Sequence, residues 1–239
     1  MILFCLPHAG STSLSYYRWK PLLNPRIKFV PLDLPGHNIG KKSEFISNFE
    51  LAVTYLYSQI VTVLEEKRES YAIFGHSLGA LLTYELYYCL IGKEKPEPFK
   101  LYISGRIPPF VSPSFIKGDL SKKIKVREDA YQYFVNDGLG LLNDKMDETL
   151  IRFYSDLLVA DMNLMRSYKY TNRTVPVWTD TTILFGKDDI STPFEQLRKW
   201  DQLCKGKLSY VQIKGGHLFP LEHAAEIVNL INNDMQLYS

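Results

Sequence analysis

One ten-residue stretch limits the fold of this chain more than any other: residues 71–80, with the sequence YAIFGHSLGA. An apolar segment typical of a short buried strand leads to Ser77, and a helical pattern begins at about Leu78. Glycines stand two residues before and two residues after the serine, where a side chain on a sharp strand-to-helix turn would collide with neighbouring backbone. The stretch predicts a strained turn that presents Ser77 as a nucleophile at a helix N-terminus. The alternative is a glycine-rich turn whose hydroxyl has no chemical role.

Apolar segments typical of buried strands alternate with amphipathic segments typical of helices along most of the chain. The expected strands cover residues 2–6, 27–34, 71–76, 101–104, 182–185 and 208–213. Such alternation indicates a mostly parallel sheet with helices on both faces. Two capping boxes, Ser47-x-x-Glu50 and Thr192-Pro-x-Glu195, are expected to open helices. The first strand begins at once, so any leading edge strand is expected to be absent or very short.

The alternation stops between residues 107 and 172, where a proline-rich loop is followed by a helical pattern. An apolar stripe runs from Leu150 to Tyr168. A helical insertion between the strands of such a sheet commonly forms a lid over an active site, although a satellite bundle is the alternative. Asp161 interrupts the stripe, and we expect it either to orient the lid or substrate or to be a locally hydrogen-bonded carboxylate. The sequence thus predicts a single domain, residues 1–239, with a helical lid at about 107–172.

Length and composition argue against several broad classes of protein. The chain has 239 residues, of which 46% are hydrophobic and 23% are charged, as in an ordinary globular domain. A formal net charge of +2 argues against a dedicated nucleic-acid or membrane-surface binder. No apolar run reaches the length of a transmembrane helix, and the first residues lack the features of a signal peptide. Three cysteines without metal-ligand spacing suit a reducing compartment, so we expect a cytoplasmic protein.

A serine hydroxyl needs a positioned base to act as a nucleophile at neutral pH. His217 is the best candidate of the five histidines. It follows the last expected strand in a Gly-Gly loop, at the sheet edge where Ser77 also lies. His76 adjoins Ser77 but points in a different direction on the turn, and His223 falls within the expected closing helix. The alternative for His217 is a loop histidine that binds only backbone.

The base in turn needs a carboxylate that holds its tautomer and stabilises the imidazolium. Asp188 and Asp189 both follow a strand that lies between the serine and the histidine in the chain. The resulting order of serine, aspartate and histidine is that of the α/β-hydrolases. We favour Asp189, which stands three residues beyond Gly186 and can point along the sheet edge. Asp188 remains the alternative.

The oxyanion of a tetrahedral intermediate requires backbone N–H donors. Leu78, directly after the nucleophile, is expected to supply one, and the loop at residues 7–10 the other. Ala9 is the preferred donor in that loop, with the adjacent residues as alternatives. Because the chain has neither an H-E-x-x-H motif nor a G-x-G-x-x-G or P-loop motif, we expect no metal, no cofactor and no bound nucleotide.

Several of these segments together resemble the type II thioesterases of non-ribosomal peptide and polyketide synthesis, members of the α/β-hydrolase superfamily. The matching segments are FCLPHAG at 4–10, LPG at 34–36, GHSLGA at 75–80, SGR at 104–106, LVAD at 158–161 with Tyr168, and GGHLF at 215–219. The loop at 4–10 and the segment at 158–161 are far more specific than the serine turn, which all α/β-hydrolases share. The resemblance extends along nearly the whole chain.

The resemblance implies an α/β-hydrolase fold and hydrolysis of acyl thioesters on the phosphopantetheine arm of acyl or peptidyl carrier proteins. The usual role is an editing one in antibiotic synthesis, the removal of misloaded or stalled acyl groups. Ser77, Asp189 and His217 match the family's triad, and the resemblance also suggests a monomer. Ser11 stands where the family often has another glycine, and His37 stands where it more often has arginine.

Other interpretations of the sequence stay open beside this one. A general carboxylesterase or small acyl-thioester hydrolase would use the same triad, and a non-catalytic module that binds acyl carriers would not need all three residues. A basic run could steer an acidic carrier protein towards the lid, although a solvated loop is the better interpretation. Its members are Lys117, Lys122, Lys123, Lys125 and Arg127.

Overall fold

A computed structural model of the chain describes residues 1–38, 43–66, 69–111, 125–136 and 148–236. Its centre is a six-stranded sheet in the order β2-β1-β3-β4-β5-β6. Every pairing in this sheet is parallel. The strands are β1 (Ile2–Leu6), β2 (Lys28–Pro31), β3 (Tyr71–His76), β4 (Lys100–Ser104), β5 (Asp180–Gly186) and β6 (Leu208–Ile213). The predicted alternation of strands and helices is therefore confirmed as an α/β fold with a parallel sheet.

The burial of the side chains in each strand matches the position of that strand in the sheet. β1, β3 and β4 occupy interior positions, and all their residues are buried. Strands covered on both faces need apolar side chains in both directions, and this explains the continuous apolar run of β1. The edge strand β2 is only half-buried, and most of β6 at the other edge is as well. Among the described residues, β1 is the first strand of the chain.

Helices cover both faces of the sheet. They are α1 (Phe49–Glu66), α2 (Leu78–Gly92), α3 (Arg127–Asn136), α4 (Glu148–Ser167), α5 (Phe194–Leu197), α6 (Phe219–Glu222) and α7 (Ala224–Gln236). Within the described residues, 3₁₀ helices cover Ser13–Trp19 and Arg198–Gln202. Alternate residues of β1 face opposite cores: Phe4 lies in the cluster with α1 and α2, whereas Leu3 lies in the cluster with α7 and the first 3₁₀ helix. None of the helices in these described ranges is long and apolar enough to cross a bilayer.

Three expectations about helix ends were wrong. The cap of α1 is Asn48 rather than Ser47, because the Asn48 side chain accepts a hydrogen bond from the Leu51 N–H at 2.9 Å. Thr192 does not cap α5, which is a single turn continued by 3₁₀ structure. The closing helix is divided at His223, which lies between α6 and α7 instead of inside one helix.

The described part of the predicted lid includes helices α3 and α4. Residues 112–124 and 137–147 lie outside the described ranges, and so do Lys117, Lys122 and Lys123 of the basic run. A small buried cluster of Ala130, Leu158 and Met162 joins the two helices, and Ala9 from the loop after β1 packs against it. The insertion helices therefore contact the loop for which an oxyanion role is expected.

Candidate active site

The turn after β3 holds Ser77 in a strained conformation. Ser77 has φ 54° and ψ −107°, a backbone conformation that residues other than glycine rarely adopt. The turn is anchored by the Ser77 N–H, which donates to the Ser104 carbonyl oxygen at 2.8 Å. A Cβ on Gly75 would lie 2.1 Å from the Gly79 carbonyl oxygen, and one on Gly79 would lie 2.2 Å from that of Leu6. Both glycines are therefore required by the close packing of β3, α2 and β1.

Replacing Gly79 by alanine should destabilise the fold by about 2 kcal/mol, because the new methyl group meets immovable backbone rather than a flexible side chain. Thermal or denaturant unfolding measures this loss. Gly92→Ala is the matched control on the same helix, since a Cβ there would have no packing neighbour within 4 Å among the described residues. We expect the control to keep or slightly raise the stability, because alanine favours helix over glycine. Equal unfolding midpoints for both variants would contradict the packing described here.

The side chains of Ser77, His217 and Asp189 form a continuous hydrogen-bonded chain at the carboxyl edge of the sheet. His217 lies in the loop after β6, and its Nε2 is 3.0 Å from the Ser77 Oγ. Its Nδ1 is 2.7 Å from the Asp189 Oδ2. The loops that carry the two partners are joined by the Asp188 N–H, which donates to the Gly215 carbonyl oxygen at 2.9 Å. The three parallel strands thus bring together residues that are far apart in the sequence.

Asp189 rather than Asp188 faces His217. Asp189 is buried, whereas the Asp188 side chain is exposed. The Asp189 carboxylate accepts hydrogen bonds from the Ser191 N–H at 2.9 Å, the Ser191 hydroxyl at 2.6 Å and the Thr192 hydroxyl at 2.9 Å. Burial raises the pKa of Asp189, but the hydrogen bond and charge of His217 and the bonds from Ser191 outweigh it and hold the pKa well below its usual range. Asp189 is therefore an anion at neutral pH.

Two further histidines pack behind His217. The His76 ring lies 5.0 Å from the His217 ring and 5.8 Å from the His8 ring. Burial, with repulsion from His217, lowers the pKa of His8 to about 3 and that of His76 well below its usual value. Gly105 makes room for this group, since a Cβ on it would lie 2.4 Å from the His76 Cε1. His8 and His76 are therefore neutral packing partners at neutral pH, which leaves His217 as the histidine in contact with Ser77.

The loop between β1 and the first 3₁₀ helix is held on both sides of Ala9. Before it, the Pro7 carbonyl oxygen accepts the Gly79 N–H at 3.1 Å. After it, the Gly10 N–H donates to the Asp161 Oδ2 at 2.7 Å. Because the Gly10 N–H is already bound to Asp161, it is not available to an oxyanion. The candidates for the second oxyanion donor in this loop are therefore the residues before Gly10. The first N–H groups of α2, including that of Leu78, have no acceptor within the helix.

Comparison with known proteins shows the family to which the chain belongs. The family model described as "Thioesterase domain" matches residues 1–235, almost the whole chain. The chain belongs to the thioesterase domain family. The expectation of a thioesterase is therefore confirmed, as is that of an α/β-hydrolase fold. The protein is a serine-dependent hydrolase by family.

Individual relatives of this thioesterase belong to several biosynthetic systems. It is 24% identical to the gramicidin S biosynthesis protein GrsT of Aneurinibacillus migulanus, with 98% of this chain and 89% of that protein covered. It is also 24% identical to the medium-chain S-acyl fatty acid synthase thioesterase of Homo sapiens, with 97% and 84% covered. The crystal structure of ClbQ, from the colibactin NRPS/PKS pathway, superposes with a TM-score of 0.85 at 22% identity, covering 98% of this chain and 96% of that one. The last similarity supports the fold.

Several residues at this thioesterase site were not singled out from the sequence. Ser191 and Thr192 hold the carboxylate of Asp189, and the Ser104 hydroxyl lies 3.0 Å from the His76 Nδ1. The Asp-x-Ser-Thr spacing at 189–192 was a usable signal, because aspartate side chains often accept bonds from residues two and three positions later. In the sequence, Thr192 was assigned instead to a capping box with Glu195, so its hydroxyl was expected at the start of a helix.

Proposed function

We propose that this thioesterase hydrolyses acyl thioesters on the phosphopantetheine arm of acyl or peptidyl carrier proteins through an acyl-Ser77 intermediate. The observation that carries the proposal is the hydrogen-bonded chain from Ser77 through His217 to Asp189 in a member of the thioesterase family. Removal of misloaded or stalled acyl groups in peptide or polyketide synthesis is the proposed role. It is supported by the relation to GrsT and by the fold shared with ClbQ.

The first step of the proposed reaction is acylation of Ser77. With Asp189 ionised, the His217 Nδ1–H donates to its carboxylate, and the Nε2 lone pair is left facing the Ser77 hydroxyl. As the Ser77 Oγ attacks the thioester carbonyl carbon, its proton moves to the His217 Nε2. The negative charge that develops on the carbonyl oxygen is stabilised by the N–H groups of Ala9 and Leu78. The imidazolium that forms is stabilised by Asp189.

The tetrahedral intermediate then collapses with cleavage of the carbon–sulfur bond. The proton on the His217 Nε2 passes to the departing pantetheine sulfur, and the acyl group remains as an ester on Ser77. A thiol with a pKa of about 8.5 leaves readily, so stabilisation of the oxyanion contributes more than acid assistance. Water that donates a proton to His217 attacks the ester, and collapse of the second intermediate releases the carboxylic acid and restores the Ser77 hydroxyl.

The partner protein and the cellular compartment are proposed from different observations. A carrier protein is the proposed partner because of the relatives, not because of the basic run. Of the two described members of that run, the Arg127 guanidinium pairs with Asp156, and Lys125 is exposed. All three cysteines are free thiols, which suits a reducing compartment, and we propose a cytoplasmic monomer that binds no cofactor.

A comparison of two thioesters of one acyl group tests this proposal. The acyl group is presented on a phosphopantetheinylated carrier protein and on N-acetylcysteamine, and kcat/KM is measured for each. We expect the carrier thioester to be hydrolysed at least about tenfold more efficiently, since contacts with the carrier contribute binding energy that the small thiol lacks. Equal efficiencies, or faster cleavage of simple oxygen esters, would replace the proposal with a general acyl hydrolase. A lack of cleavage of every substrate would favour a non-catalytic carrier-binding module.

A further inference from the structure

Asp161 makes contacts that the proposed reaction steps do not use. It lies on α4, is 1% exposed, and its two carboxylate oxygens point to different parts of the chain. Oδ2 accepts the Gly10 N–H at 2.7 Å, across 151 positions of the sequence. Oδ1 lies 3.0 Å from the His37 Nε2, across 124 positions. One buried carboxylate therefore joins the lid helix to the loop after β1 and to the loop after β2.

The hydrogen-bond partners of the two His37 ring nitrogens show that its contact with Asp161 is an ion pair. The His37 Nδ1 lies 3.2 Å from the Pro35 carbonyl oxygen, which can only accept a hydrogen bond. The Nε2 faces the carboxylate of Asp161. Both ring nitrogens therefore need a proton, so the pair is an imidazolium beside a carboxylate. Burial lowers the pKa of His37, but the charge of Asp161 and its hydrogen bond outweigh burial, and the pKa lies above its usual value.

The other titratable groups near His37 and Asp161 either have different hydrogen-bond partners or are neutral. Asp33, on the same loop as His37, accepts the N–H and the hydroxyl of Ser13, each at 2.6 Å, and its charge also raises the pKa of His37. His8, from the loop after β1, lines a small enclosed space with His37 and Asp161 and is neutral. On the remaining side is the ring of Phe45, 6.2 Å from that of His37. Asp161 is therefore the carboxylate that binds the His37 imidazolium directly.

The same helix also contacts the loop after β1 through apolar atoms. Gly10 has φ +74°, and a Cβ built on it would lie 2.9 Å from the Leu158 Cδ1. Leu158 and Asp161 are on adjacent positions of one helix face, so α4 packs on Gly10 and binds its N–H together. With the Pro7 carbonyl bound to the Gly79 N–H at 3.1 Å, the backbone on both sides of Ala9 is held.

We propose that Asp161 and His37 are positioning residues for the oxyanion hole. They hold the loop at residues 7–10 so that the Ala9 N–H points at the developing oxyanion, and the loop has this support only when α4 is docked. The inference rests on the proposed function, because it assumes that Ala9 is an oxyanion donor. Neither residue contacts the reacting atoms. Their loss should lower kcat and leave KM nearly unchanged, since a misplaced oxyanion donor affects the transition state more than the bound substrate.

Variants of the pair test the inference in the full-length enzyme with an acyl-N-acetylcysteamine substrate. Removal of one oxyanion donor costs about 10²- to 10³-fold in kcat, and we expect Asp161→Ala and His37→Gln to lose a smaller factor of about 10- to 100-fold. The more conservative Asp161→Asn serves if the alanine variant does not fold, as judged by circular dichroism. Asp156→Asn is the matched control on the same helix, because this half-exposed carboxylate pairs with Arg127 at the surface. The kcat of this variant should change by less than about twofold.

The pH dependence separates positioning from a merely structural contact. Because the pKa of His37 is raised in the folded protein, the ion pair is complete below the ordinary histidine pKa of about 6.5 and is lost as pH rises through the higher folded value. We therefore expect the kcat of the wild type to decrease as pH rises through that value, which gives its pH profile an alkaline limb. His37→Arg should recover most of the kcat lost in His37→Gln and lack the limb, since guanidinium does not titrate there.

Each outcome decides between the inference and the function on which it rests. Folded Asp161 and His37 variants with wild-type kcat would overturn the inference, and so would an alkaline limb that is the same in His37→Arg and the wild type. Ser77→Ala, assayed in parallel, must be inactive. If it hydrolyses the thioester as the wild type does, the proposed acyl-Ser77 mechanism itself is wrong, and the positioning role is rejected with it.

Discussion

Replacing Ser77 by alanine is expected to abolish acyl thioester hydrolysis, with kcat reduced by about 10⁴- to 10⁶-fold. The variant keeps the His217 and Asp189 side chains but has no oxygen atom to receive the acyl group. The small residual rate should come from substrate binding and from the oxyanion donors acting on attack by water. Release of free thiol from an acyl thioester measures the change.

A serine-directed fluorophosphonate provides the control for this result. The wild type should be labelled once, on the peptide that contains Ser77, whereas Ser77→Ala should not be labelled. Both proteins should have the same unfolding midpoint, because the Ser77 hydroxyl contributes a partly exposed hydrogen bond to His217 and little packing. Substantial hydrolysis by a folded Ser77→Ala would assign the nucleophile to another residue or to water.

Replacing Asp189 by asparagine should lower kcat by about 10⁴-fold at neutral pH. The amide is similar in size, so the fold should be retained. It lacks the negative charge that stabilises the His217 imidazolium, and its NH₂ group can donate to Nδ1 and so favour the wrong tautomer of the base. Steady-state kinetics of the purified variant measures the loss, which should appear in kcat rather than in KM.

Asp188→Asn is a matched control provided by the adjacent residue. The Asp188 side chain is exposed, and its backbone N–H, not its carboxylate, binds the loop that carries His217. We expect kcat to change by less than about twofold, as for an ordinary surface substitution. A larger loss in Asp188→Asn than in Asp189→Asn would reverse the assignment of the carboxylate and contradict the geometry described above.

The sheet and the turn at Ser77 could be predicted from the sequence because their signals are local. The continuous apolar run of β1 reflects burial on both faces, and the glycines around Ser77 reflect contacts with adjacent backbone. The ends of helices were predicted less well. Asn48 and Ser47 are both good capping residues, and the sequence alone does not show which side chain reaches a free N–H. Thr192 has the same ambiguity, since its hydroxyl binds Asp189 in the folded chain.

The parts of the site that depend on distant residues were harder to predict. The chain order placed a serine, an aspartate and a histidine after three strands, and parallel strand ends must meet at one edge. No local pattern relates Asp161 to Gly10 or His37, because the contacts exist only when α4 packs across the loops after β1 and β2. From the sequence alone, the role of Asp161 accordingly stayed open between orienting the lid or the substrate and being a locally hydrogen-bonded carboxylate.

The most direct test of the mechanism is rapid-quench mass spectrometry of the enzyme mixed with acyl-loaded carrier protein. We expect the acyl mass to leave the carrier, to appear transiently on the wild-type peptide that contains Ser77, and to end as free carboxylic acid. Asp189→Asn should prolong the acyl-enzyme, because activation of water by His217 is slowed along with the first step. Disappearance of the acyl group from the carrier at the wild-type rate with Ser77→Ala would contradict an acyl-Ser77 mechanism.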